Sequence, residues 1–186
     1  MSHASPQRTE VAHCSMEGSG QRAWVGIGAN LGDARATVIL AAERLRPLGL
    51  AAMSGLYVSA PVQASGPDFV NAVVALDTAL PATDLLRELQ AIEAEFGRQR
   101  PYLNAPRTLD LDLLLMGDQR VDLPHLSLPH PRLHLRAFVL LPLLELAPRL
   151  RAPGLGALAD WLPATSAQSI RRVESTPPTM PIQYIP

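Results

Sequence analysis

Residues 108 to 113 read Thr-Leu-Asp-Leu-Asp-Leu, two carboxylates separated by one apolar residue. Successive side chains of a strand point to opposite faces, so Asp110 and Asp112 share one face and Leu109, Leu111 and Leu113 the other. Carboxylates so placed stand ~6–7 Å apart along the strand. Buried like charges raise each other's pKa unless a cation lies between them. A hard divalent cation with oxygen ligands meets that need, and Mg²⁺ in particular prefers one or two carboxylates plus substrate phosphates. The alternative is a strand face turned to water, against which stand two Asp in an otherwise apolar stretch, 108–116.

Arginine is the second group with chemistry to offer. Arg98, Arg100 and Arg107 precede the Asp pair within ten residues or so, and Arg136 follows a later loop. Cations gathered beside a metal-binding carboxylate pair suit a triphosphate, since the metal offsets part of its charge and guanidinium forks take the rest. The bland reading is a surface charge cluster, with Arg98 at a helix C-terminus. All sixteen Lys+Arg positions are in fact Arg. That bias has a plain compositional reading, yet the guanidinium matches phosphate geometry where an ammonium does not.

The elements that must position these groups follow from periodicity. Ala23–Gly28 reads as a short apolar strand ending in a glycine turn. Asn30 or Asp33 caps a helix over 34–48 that Pro47 and Gly49 end. Residues 50–59 read as a strand, 60–67 as a Pro/Gly/Ser loop, and Phe69–Thr78 as a strongly β segment. A second helix runs from about Thr83 to Gly97 with Leu85, Leu86, Leu89, Ile92 and Phe96 as its apolar stripe. A loop over 98–106, the strand 108–116, a proline-studded loop over 123–132 and an apolar helix over 136–146 complete the pattern. This β-α-β-β-α-β order is the α+β, ferredoxin-like split-βαβ plan, an antiparallel sheet with helices on one face. The opposite face is expected to be open for a site. Residues 1–22 read as a disordered extension, 23–166 as one domain and 167–186 as an irregular tail.

Composition narrows the class. The chain has 186 residues, 47% hydrophobic and 18% charged, with a formal net charge of −1, which suits one domain with a real core and no long nucleic-acid partner. A single cysteine, Cys14, excludes a disulfide scaffold. The first twenty residues lack the apolar core of a secretory signal, and no apolar run nears the ~20 residues of a membrane span. A cytoplasmic monomer with small-molecule partners and no membrane contact is the expectation.

Five collinear motifs resemble the dihydropterin pyrophosphokinase family. They are Gly-Ala-Asn-Leu-Gly-Asp (28–33), Pro-Asp-Phe-Val-Asn-Ala (67–72), Gln90-x-x-Glu93 with Gly97-Arg98-x-Arg100, Ala-Pro-Arg-Thr-Leu-Asp-Leu-Asp-Leu (105–113) and Leu-Pro-His-Pro-Arg (128–132). The resemblance spans about Ala23 to Ala147. It implies transfer of pyrophosphate from ATP to the hydroxymethyl group of a dihydropterin, with AMP released. Asp110 and Asp112 would bind two Mg²⁺ ions bridging the ATP phosphates, and Arg98, Arg107 and Arg136 would clamp those phosphates, with Arg100 beside them. Gln90, Glu93, Leu113, Ser127 and His130 are the further ATP contacts it implies. The pterin would stack between Phe69 and Phe138, with its polar edge at Asn71 and the loop residues Ala60, Pro61 and Val62 alongside.

Several of these residues have other readings. Gln90 and Glu93, at i and i+3, share a helix face away from the leucine stripe and could simply be solvated. Either Phe could be plain core. His130 could be structural, or a zinc ligand with His134, although Pro131 breaks a helical pair and no Cys or third His is well placed. The chain also departs from the family at Tyr102-Leu103-Asn104, where many members carry an extra Arg; Leu103 stands in its place. A dinucleotide fold is disfavoured because Gly26-x-Gly28 meets Gly32 one residue too late and no acid falls between Glu43 and Asp68. An RNA-binding module of the same strand order would need a basic, aromatic sheet, which the two acids contradict. No Walker A sequence is present.

Overall fold

Chain order in the computed structural model, which describes residues 20–61, 66–97 and 108–173, follows the expected β-α-β-β-α-β with additions after it. Strand β1 (Gln21–Ala29) leads to α1 (Ala34–Arg44), β2 (Leu50–Met53), β3 (Tyr57–Ser59), β4 (Phe69–Thr78), α2 (Ala82–Glu95) and β5 (Asp110–Met116). A hairpin of β6 (Val121–Leu123) and β7 (Leu126–Leu128) occupies part of the expected loop. Then come α3 (Ala137–Leu146), the short pair β8 (Arg151–Ala152) and β9 (Gly156–Ala157), and β10 (Ile170–Arg172). The main sheet runs β10-β3-β4-β1-β5, with β2 also on β4, and every pair is antiparallel.

Local chemistry explains the boundaries. Asp33 caps α1, its carboxylate accepting from Ala36 N at 2.9 Å. The helix ends at Arg44 rather than 48, and Arg46–Leu48 tightens into a 3₁₀ turn around Pro47. Gly49 follows at φ 95°, where a Cβ would lie 2.0 Å from Asp77 O, so only glycine fits. The strand expected over 50–59 splits in two. Met53 pairs with Val74 and Tyr57 with Asn71, four residues against three, and Ser54 uses its hydroxyl to accept from Val73 N at 3.0 Å across the bulge.

Two core clusters correct the one-sided packing expected from sequence. On the first face Val25, Ile27, Val74, Leu76, Leu111 and Leu113 meet Val38 of α1 and Leu85 and Leu89 of α2. On the second face Trp24, Val73, Ala75, Leu114 and Leu115 meet Val139, Leu140 and Leu143 of α3. Helix α3 reads Ala-Phe-Val-Leu-Leu-Pro-Leu-Leu-Glu-Leu, apolar nearly all round, and such a helix must be covered. It therefore lies across one part of the face that was expected to be open. The rest of that face, toward the Gly28 end of β1, carries the polar groups.

The ends of the domain also shift. Strand β1 begins at Gln21, inside the expected extension. Ile170–Arg172, placed by sequence in an irregular tail, instead pairs with β3 as the sheet's edge strand. Tyr57, Glu145 and Arg172 lock this corner: Glu145 accepts from Tyr57 Oη at 2.7 Å, Arg172 Nη2 at 2.7 Å and Gly55 N at 3.1 Å. Burial and the neighbouring carboxylate push the Tyr57 hydroxyl up to about 12, so it remains a donor at any physiological pH.

Candidate active site

Strand register assembles the site. One row across the sheet runs Asp110 on β5, Gly28 on β1, Asn71 on β4 and Tyr57 on β3; the next runs Asp112, Gly26 and Val73. Paired residues lie on the same face. With strands ~4.8 Å apart, about 10 Å of glycine-floored sheet therefore separates the β5 carboxylates from the Asn71 amide. A Cβ at Gly28 would come 3.4 Å from Asn71 Oδ1. The sequence places a glycine turn at the end of Ala23–Gly28, whereas Gly28 lies within β1; the usable signal is the alternation that puts Gly26 and Gly28 on one face, across from the Asp pair.

Asp110 and Asp112 are both half-buried on that face, as the alternation of β5 requires. Arg136, at the start of α3, brings Nη1 to 3.7 Å from Asp112 Oδ2, and its guanidinium carbon sits 5.3 Å from the Phe138 ring centre. One arginine thus links Asp112 to the aromatic. The donor set fits Mg²⁺: two adjacent carboxylates, hard oxygen only, accessible from one side. Among the described residues no cluster of three or more His, Cys, Asp or Glu gathers, so a cation there would complete its shell from water and substrate oxygens.

His130 is held by its backbone, N donating to Leu114 O at 2.8 Å, and its Nδ1 accepts from Arg132 N at 3.2 Å. Burial, then the charges of Arg136 and Arg132, push its pKa down to about 4. The ring is neutral at pH 7 and presents Nε2–H as a donor. Ser127, on β7 opposite Asp122, is half-buried.

The structure corrects the helix-face reading of Gln90 and Glu93. Gln90 is exposed, but Glu93 is 1% exposed and accepts from Leu111 N at 2.8 Å. Strand β5 is a sheet edge, so the N–H between the two Asp residues points out of the sheet and needs an acceptor. Glu93 supplies it and so fixes the strand that carries both carboxylates. Removing it in Glu93→Ala is expected to cost about 1–3 kcal/mol, the penalty of an unmet buried donor. Urea unfolding reads this as a lower midpoint at unchanged slope; an unchanged midpoint would contradict the role. Leu113 has its side chain in the first core cluster, on the face that the alternation of 109–113 gives it and away from the site face.

Asn71 is 4% exposed, and its Nδ2 donates to Ser59 Oγ at 3.0 Å, Tyr57 O at 3.3 Å and Phe69 O at 3.4 Å. Its carbonyl oxygen is thereby turned toward Gly28 as an acceptor. Phe69 and Asn71 share a face, and Phe69 is half-buried. Nearby, a cavity of about 260 Å³ is bounded by Ser59, Ala60 and Pro61 at the end of β3, by Ala137 and Phe138 at the start of α3, and by residues 168–170. Sequence reasoning missed this last wall. Val62, Arg98, Arg100, Leu103 and Arg107 lie outside the described residues.

Comparison with known proteins matches residues 24–148 to the family model described as 7,8-dihydro-6-hydroxymethylpterin-pyrophosphokinase (HPPK). A 2-amino-4-hydroxy-6-hydroxymethyldihydropteridine pyrophosphokinase of Pseudomonas aeruginosa is 48% identical over 157 residues, 82% of this chain and 97% of that protein. The Synechocystis protein of the same name is 36% identical over 149 residues, 78% of this chain and 71% of its own. Among solved structures, an HPPK-DHPS in complex with substrates superposes with a TM-score of 0.65 at 11% identity, over 78% of this chain. A Plasmodium falciparum HPPK-DHPS does so at 0.63 and 14%, over 79% of this chain. This chain spans 43% and 44% of those two longer chains, which at such identity speak for the fold alone.

Proposed function

The chain belongs to the 7,8-dihydro-6-hydroxymethylpterin-pyrophosphokinase family, and from that membership we propose how its own residues carry the reaction. The protein transfers pyrophosphate from ATP to the hydroxymethyl group of the dihydropterin and releases AMP, a step of folate biosynthesis. The observation that supports the residue assignment is the row Asp110–Gly28–Asn71, with a carboxylate and a buried amide on either side of a bare sheet floor.

In this reading Asp110 and Asp112 would hold the Mg²⁺ ions, two by the family resemblance, against the phosphates of ATP. Bound there, the ions neutralise phosphate charge and polarise the phosphorus under attack. Arg136, beside Asp112, adds a guanidinium fork, and Arg98, Arg100 and Arg107 are the further cations proposed for the triphosphate. Neutral His130 donates from Nε2, with Ser127 and Gln90 proposed as neighbouring nucleotide contacts. Leu113 can contribute only backbone at the strand edge, and Glu93 acts through Leu111. The pterin lies between Phe69 and Phe138 against Ala60, Pro61 and Val62, and the Asn71 oxygen accepts from its amino and ring N–H groups. The pterin hydroxyl oxygen then forms a bond to the β-phosphorus in line and gives up its proton to solvent water, while the bond from the β-phosphorus to the α,β-bridging oxygen breaks and AMP departs with that oxygen. A monomer of the cytoplasm, without nucleic-acid or membrane partners, is part of the same proposal; among the described residues no helix is long and apolar enough to cross a membrane.

Incubation with ATP, Mg²⁺ and the hydroxymethyl dihydropterin tests the reaction. AMP is the expected product, and ADP would refute it. The aromatic walls are tested by Phe69→Ala, expected to weaken pterin binding by about 1–2 kcal/mol, the scale of a lost aromatic stack. ATP binding should hardly change, and an equal loss for both ligands would assign Phe69 to the core.

A further inference from the structure

The segment 168–172 is bonded to both sides of the cavity. Gln168 Oε1 accepts from Ala137 N at 2.9 Å and its Nε2 donates to Leu135 O at 2.7 Å. These two bonds bracket Arg136, the residue before α3, whose backbone is extended (φ −124°, ψ 116°) and whose side chain makes no cap. The first N–H groups of a helix need acceptors from outside, and here a glutamine thirty-one residues downstream provides one. Along its length the same segment follows β3: Ser169 O accepts from Ala60 N, Ile170 pairs with Ser59 and Arg172 with Tyr57. At the far end Arg172 reaches Glu145 on the last turn of α3. The strap therefore holds both ends of α3 at a set distance from β3, and the cavity lies between them.

We infer that this C-terminal strap sets the width of the pterin pocket, and that Gln168 is a positioning residue which fixes Phe138 through the backbone at the start of α3. The inference rests on the pterin reading above. It differs from a plain structural seam because Gln168 lines the cavity itself and its bonds end at the two residues adjoining Arg136. Loosening them moves an aromatic wall of the pocket and leaves the β5 carboxylates on their own strand.

The test uses the full chain with Gln168→Met, which keeps length and apolar volume but forms neither bond, and Gln168→Glu, which keeps an acceptor for Ala137 N. Binding of 6-hydroxymethylpterin is followed by its fluorescence, and that of a non-hydrolysable ATP analogue with Mg²⁺ by calorimetry. Gln168→Met is expected to weaken pterin binding about tenfold and the ATP analogue less than about threefold, with Gln168→Glu within about threefold of the parent for both. A seam without a positioning role predicts a lower melting temperature with both affinities intact, or falling by one common factor; either result overturns the inference. Should the methionine variant not fold, Gln168→Ala removes the same two bonds and is read the same way. A parent chain that makes no AMP overturns the reaction reading and this inference with it. A parent that makes AMP, beside a variant with unchanged pterin affinity, overturns the inference alone.

Discussion

Asp110→Asn and Asp112→Asn each lower turnover by roughly 10²–10³-fold or more, the scale seen when a preorganised electrostatic contact to a transition state is removed. The amides keep the size of the carboxylates but cannot supply the charge that holds a divalent cation against phosphate. Stability should hardly move. Both side chains are half-buried on the site face, and the ion pair of Asp112 with Arg136 at 3.7 Å is partly exposed and of the kind that contributes ~0–1 kcal/mol. Steady-state rates over a range of Mg²⁺, with thermal melting as the control, separate the two effects. Near-parent turnover at ordinary Mg²⁺ in either variant would defeat the assignment of this pair as the cation site.

Arg136→Ala is expected to have the next largest effect, a fall in turnover of about 10²-fold, as for loss of one preorganised donor at a developing charge. This arginine joins the two halves of the site, near Asp112 on one side and over the Phe138 ring on the other. Arg136→Lys should recover little of the rate, since an ammonium supplies neither the planar fork nor the stacking surface. A companion readout distinguishes a displaced guanidinium from general disruption. The charge of Arg136 is the second cause, after burial, that holds His130 near 4, so its removal raises the His130 pKa part of the way toward the ordinary range. NMR titration of His130 reads that shift. Full activity in the lysine variant, or an unmoved His130 in the alanine variant, would contradict the placement.

Much of this architecture was legible because two periods carry it. Alternation over 109–113 put the leucines in the core and both Asp on the other face, and β5 keeps that arrangement. The leucine stripe of α2, a cap for α1 at Asn30 or Asp33 (it is Asp33) and the start of α3 beside Arg136 followed from helical spacing and local hydrogen bonding, which depend on near neighbours in the chain. Phe69 and Asn71 fall on one face for the same reason.

Three features were decided only by contacts between distant segments. Glu93 sits where a solvated helix residue would, yet it is buried, because α2 packs beside a sheet edge whose Leu111 N–H requires an acceptor. The pattern within one helix carries no record of which strand edge will lie beneath it. Ile170–Arg172 has neither length nor alternation to mark a strand, and it becomes one because β3 offers it an unpaired edge. The second face of the sheet is half covered rather than open because α3, apolar nearly all round, finds Trp24, Val73 and Leu114 there. The sequence by itself determined which side chains share a face, since that depends on spacing along one backbone. The tertiary structure decided which faces meet and which backbone edges find partners, since those depend on surfaces brought together from distant parts of the chain.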